Sequence, residues 1–89
     1  MTRIKRKNNI VCADYPEGTV VFDLDSRQPH ILNALAAEVW GWLCRPRENQ
    51  ELIHLIVRKY AVEKKQARKD VLSLLGQLKE KGLVKDVKA

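Results

Sequence analysis

Pro29-His30-Ile31-Leu32-Asn33 runs directly into ALAAEVWGWL over residues 34–43. The first stretch reads as a short strand ending on an Asn whose side-chain oxygen can cap a helix. In the second, Ala36, Val39, Trp40 and Leu43 recur at i, i+3, i+4 and i+7, the signature of one buried helical face. Leu35 and Trp42 point away from that stripe. Everything before this junction reads as β and everything after it as helix. Pro29 has no backbone N–H, so its strand belongs at an edge or at a strand start rather than in the middle of a sheet. An edge left open is a place for another peptide to dock.

Upstream, residues 10–15 form a first strand, with Ile10, Val11 and Tyr15 favouring extended geometry. Tyr15-Pro16-Glu17-Gly18 is a turn: Pro sets one dihedral and Gly tolerates a positive one. Residues 19–25 form the second strand. Val20, Phe22 and Leu24 alternate with Val21, Asp23 and Asp25, so the first set is expected on the core face and the two aspartates on the exposed one. Residues 25–28 turn the chain into the third strand, 29–32. Short consecutive connections imply an antiparallel meander.

Downstream, Pro46 stops the first helix. A second helix is expected over about 48–60, with Leu52, Ile56 and Tyr60 as its stripe and Ile53, Leu55 and Val57 broadening it. A third is expected over about 64–81, with Ala67, Val71, Leu74, Leu75 and Leu78 as its core face and Gly82 ending it. Leu72 lies roughly 120° from the centre of that face, at ~100° per residue, with Arg68 and Lys79 on its side. It reads either as the wall of a peptide groove or as a shoulder leucine among solvated neighbours.

The 89 residues make one domain, read as 10–84 between a flexible basic tail over 1–9 and a C-terminal tail over 85–89. The fold class is α+β, a three-stranded antiparallel sheet followed by three helices. Net charge is +6, concentrated in Arg3, Lys5, Arg6 and Lys7 and in Lys64, Lys65, Arg68 and Lys69. Such clusters fit an acidic peptide or nucleic acid, or simply solvated faces. Cys12 and Cys44 lack metal-ligand spacing and are expected to be buried reduced thiols. Neither a signal peptide nor a membrane span is read, which points to the cytosol. No nucleophilic triad or phosphate loop is visible, and the dispersed glycines, His30 and His54 read as structural. These readings point to a binding module rather than an enzyme, with no metal or cofactor. Two rivals stay open. One is a DNA-binding winged helix using the basic third helix on phosphates, though few of its side chains suit base edges. The other is an oligomerisation module using Leu35 and Trp42.

Leu32-Asn33, Val39-Trp40, Tyr60, Asp70-Val71, Leu74-Leu75, Leu78 and Gly82-Leu83-Val84, in this order and spacing, resemble the PqqD-like family over residues 10–84. The resemblance implies a winged-helix-like peptide recognition element. Its members bind the leader of a ribosomally made precursor peptide and present it to a modifying enzyme, often a radical S-adenosylmethionine enzyme. The leader adds a strand to the third strand and lies against the third helix. Carried onto this chain, the edge is His30, Ile31 and Leu32, and the helix wall is Arg68, Leu72 and Leu75. Lys64, Lys65 and Lys69 would steer an acidic leader. A homodimer would be the other way to close the edge. Three departures from the family pattern stand out: Pro29 early in the third strand, Arg45-Pro46 where a Gly usually follows the first helix, and Glu48 where a Thr usually opens the second.

Overall fold

The computed structural model describes residues 2–88. The chain runs β1 (Thr2–Arg6), β2 (Ile10–Tyr15), β3 (Gly18–Asp23), β4 (Gln28–Leu32), α1 (Ala34–Trp42), α2 (Asn49–Tyr60), α3 (Lys64–Glu80) and β5 (Val84–Lys88). Strands β2, β3 and β4 form the expected antiparallel meander in that order. A second sheet pairs β1 with β5. The described fold is therefore α+β, with the three-stranded sheet preceding three helices, as the sequence indicates.

The helices follow their patterns closely. The Asn33 side chain accepts the Ala36 N–H at 2.9 Å, capping α1. Ala36, Val39, Trp40 and Leu43 are all buried, as are Ala67, Val71, Leu74, Leu75 and Leu78 of α3. In α2 the Glu51 carboxylate reaches back to the Glu48 N–H at 3.2 Å. Gly82, at φ +72°, ends α3 with two bonds that satisfy its last carbonyls: Gly82 N–H to Lys79 at 2.9 Å and Leu83 N–H to Leu78 at 2.9 Å. Among the described residues no helix is long and apolar enough to cross a membrane.

The ends of the chain differ from the expected tails. Ile4, 2% exposed, is part of the core. Its main chain pairs with Arg47 on one side of β1 while β5 pairs on the other. The neighbouring cations are held as well. Arg6 donates to the Trp40 carbonyl (3.0 Å from Nε) and stacks 4.6 Å from the Trp40 ring. Lys7 bridges Asp23 at 2.9 Å. A run of Lys and Arg with a single buried Ile thus becomes a strand, and Arg6 together with the following Lys7 finds partners inside the molecule.

Strand β3 turns the opposite face inward from the one its alternation suggests. The face toward the helices carries Thr19, Val21 and Asp23, all buried, while Val20 and Phe22 lie on the outer face. Leu24 and Asp25 belong to the following turn, in which Arg27 takes a positive φ and its N–H bonds the Asp23 carbonyl at 2.7 Å. The buried polar groups are satisfied. Thr19 donates to Asp14 at 2.8 Å, and Asp23 accepts from Lys7, from the Asp25 N–H at 2.9 Å and from the Ser26 N–H. In a carboxylate so supplied, the ammonium and the N–H donors offset the desolvation that would otherwise force it outward. Cys12 and Cys44 are also not buried; both are exposed. Cys12 lies on β2, an outer strand with little cover, and Cys44 lies just beyond the end of α1.

The Lys7 ammonium beside Asp23, assisted by the two N–H groups and opposed by burial, holds the Asp23 carboxyl below its ordinary 3.8. Because the folded value is the lower one, its stabilisation is complete above 3.8 and is lost as pH falls through the folded value. Chemical denaturation across that acid window should show an Asp23→Asn variant lacking this acid-dependent loss and less stable than the parent at neutral pH. The Lys7 side of the pair is lost only as pH rises above 10.5, since Asp23 raises its value. For β1, Ile4→Ala should cost about 2–5 kcal/mol, read as a lower denaturation midpoint. A flexible N-terminus would leave the midpoint unchanged.

Candidate functional site

Strand β4 is the last in its sheet, and no described strand pairs on its outer side. Its register with β3 places Thr19 opposite Leu32, Val20 opposite Ile31, Val21 opposite His30 and Phe22 opposite Pro29. Pro29 has no N–H to give, so it occupies a non-hydrogen-bonded pair with Phe22. Antiparallel alternation then bonds His30 and Leu32 to β3 and turns the main-chain groups of Pro29 and Ile31 to the open side. The edge therefore offers two carbonyls and one N–H, the last from Ile31. The side chains divide differently. Leu32 is buried in the core, His30 is half-buried on the helix side, and Ile31, 74% exposed, stands on the outer face.

Where β4 ends, a cleft of about 160 Å3 opens between Asn33 and Leu35 on one side and Asp70, Ser73, Leu74 and Gln77 of α3 on the other. A second hollow of about 250 Å3 shares Leu35 and Asp70 and continues past Ile56 to Tyr60 and Val62. Together they make a trough with an apolar floor and a lip of Asp70, Ser73 and Gln77. Asp70 accepts from the Gln66 side chain at 2.9 Å. Tyr60, expected as core, is 42% exposed because it walls this trough rather than closing the interior.

The structure does not bring Arg68 and Leu72 to this trough. Seven residues make almost two full turns of a helix at ~100° per residue, so Lys79 stands almost directly above Leu72, and Lys79 bridges Asp86 of β5 at 3.0 Å. The bridge ties the last turns of that side of α3 to β5. Leu72 is 40% exposed there, whereas Leu75 is buried in the core. Lys64, Lys65 and Lys69 are exposed along the first turns of α3, with Lys69 nearest the trough side. The strand edge is thus legible in the sequence, whereas Leu35, Tyr60, Asp70, Ser73, Leu74 and Gln77 line hollows that the sequence reading does not single out. Two signals for them were present: Leu35 off its helix stripe, and Asp70, Ser73 and Gln77 at i, i+3 and i+7.

A further cavity of about 320 Å3 lies away from β4, between the β1–β2 connection and the end of α1, and gathers Lys5, Arg6, Lys7, Cys12, Cys44 and Arg45. Arg6 and Lys7 are already engaged with Trp40 and Asp23. Two of the four N-terminal cations are thus held within the fold.

Comparison with protein families matches residues 18–84 to coenzyme PQQ synthesis protein D (PqqD). No curated protein matches the sequence. Two solved structures share the fold. A lasso peptide synthetase B1 complexed with the leader peptide is 26% identical, with a TM-score of 0.79 over 92% of this chain and 96% of that one. TbiB1 in complex with the TbiA(beta) leader peptide is 22% identical, with a TM-score of 0.82 over 91% of this chain and 94% of that one.

Proposed function

The chain belongs to the family of coenzyme PQQ synthesis protein D, and on that premise we propose that it is a non-catalytic recognition domain for the leader of a ribosomally made precursor peptide. The observation that carries the reading is the open β4 edge at the mouth of the α3 trough, in a fold shared with a lasso peptide synthetase B1 that was solved holding a leader peptide. The leader adds as a strand beside β4, and its inward side chains enter the trough over Leu35 and Leu74. The bound peptide is thereby held for a modifying enzyme in the cytosol. The relative supporting this reading is a lasso peptide synthetase component, so an enzyme of such a system is the first partner to test and a radical S-adenosylmethionine enzyme the second. The edge is proposed to take a peptide rather than a second copy of the chain.

Energetics decide how the affinity is divided. Three main-chain bonds at about 1 kcal/mol each fall short of the ~4 kcal/mol that even millimolar binding requires. Side chains must therefore supply the rest, and burying one Leu-sized group contributes roughly 1.5–3 kcal/mol. The exposed cations Lys64, Lys65 and Lys69 contribute chiefly to encounter with an acidic leader, an effect that salt weakens. Asp70 at the trough lip repels an acidic side chain there, so acidic leader residues belong beside the first turn of α3 and apolar ones in the trough.

The experiment is titration calorimetry with the synthetic N-terminal segment of a precursor peptide encoded beside this chain. Leu35→Asp should weaken binding at least about tenfold, since a buried apolar contact is replaced by a charge. Leu72→Asp should leave affinity within about twofold. The opposite ranking would move the second wall to the Arg68–Leu72 side of α3, and no binding by the parent chain would remove the proposal.

A further inference from the structure

The burial of Thr19, Val21 and Asp23 leaves the other face of the three-stranded sheet apolar and open. Two cross-strand rows run over it: Val11, Phe22 and Pro29, and Ala13, Val20 and Ile31. Val11 and Ile31 are among the exposed large hydrophobics, while Val20 and Phe22 are half-buried. Contiguous apolar patches of this kind mark binding surfaces more often than chance. At the β4 side of this face Tyr15, Glu17, Gly18, Val20 and Ile31 enclose a hollow of about 240 Å3 whose lining is almost wholly apolar. That is smaller than the ~300–1,000 Å3 of pockets that enclose a small-molecule ligand. It is suited to a single large side chain.

Strand geometry names the occupant. Any strand added at β4 sends alternate side chains to opposite faces of the sheet. One set enters the trough. The other set must land beside Ile31, extending the row Ala13, Val20, Ile31 by one more residue. We infer that this protein reads its peptide on both faces, and that the outward set is apolar, with one aromatic or large aliphatic residue seated in the Tyr15–Val20–Ile31 hollow. The inference rests on the peptide-recognition reading and deepens it by specifying the ligand. Glu17 at the rim of the hollow disfavours an acidic residue there. The cations of α3 lie on the opposite face of the sheet. A preferred peptide is therefore two-sided, with its acidic residues confined to the helix side and its outward positions apolar.

The test is selection from a display library of randomised peptides on the parent chain and on Ile31→Thr. Thr keeps the β-branched shape and the main-chain N–H that the edge requires, and a position 74% exposed tolerates it without loss of fold. The parent should enrich apolar residues in two interleaved alternate sets. Ile31→Thr should lose the enrichment in one set only and bind the best parent-selected peptide about tenfold more weakly. Val20→Thr, tested alongside, should act on the same set. The inference is overturned if the parent enriches only one set, or if Ile31→Thr selects the same pattern with unchanged affinity. A parent chain that enriches no peptide at all overturns the recognition reading together with this inference.

Discussion

Asp23 sits 3% exposed in the helix-facing side of β3, held by the Lys7 ammonium at 2.9 Å and by the N–H groups of Asp25 and Ser26. A strand has two faces, and shifting which one is inward exchanges every side chain on it. By accepting the polar set inward, this ion pair fixes the orientation of β3, and through its register it fixes β2 and β4 as well. It also ties the β1 end of the chain to the sheet, because Lys7 lies immediately after that strand. The open apolar face and the outward position of Ile31 both follow from this one choice.

The helices were readable because each buries a single stripe, and a stripe of apolar residues at helical spacing has only one inward direction. The sheet was not readable in the same way. Alternation along residues 19–25 reveals two faces but not which is the core. The usual rule of apolar inward failed because Asp23 draws its partner from a residue sixteen positions earlier. Strand β1 was hidden for a related reason. Its single core residue, Ile4, is surrounded by Lys and Arg, and its pairing partner lies at the far end of the chain in the equally polar Val84–Lys88.

The candidate site shows the same division between local and distant information. The open edge could be read from Pro29 and the short turns around it. The wall on α3 could not, because choosing a side of that helix requires knowing where β5 lies. The Lys79–Asp86 bridge joins one side of the helix to β5, while Asp70, Ser73 and Gln77 lie beside the end of β4. Tyr60 belongs to the same lesson: the last residue of an apolar stripe need not be core when the helix ends at a groove.

Strand addition at β4 depends on one main-chain donor. In the free chain His30 and Leu32 are bonded to β3, while the Ile31 N–H faces outward without a described partner strand. Amide hydrogen exchange at single-residue resolution, with and without a saturating precursor leader segment, measures that group directly. Strand addition requires that Ile31 exchange slow markedly on binding while His30 and Leu32, already protected, change little. An Ile31 amide that exchanges equally fast in the saturated complex would contradict strand addition at β4.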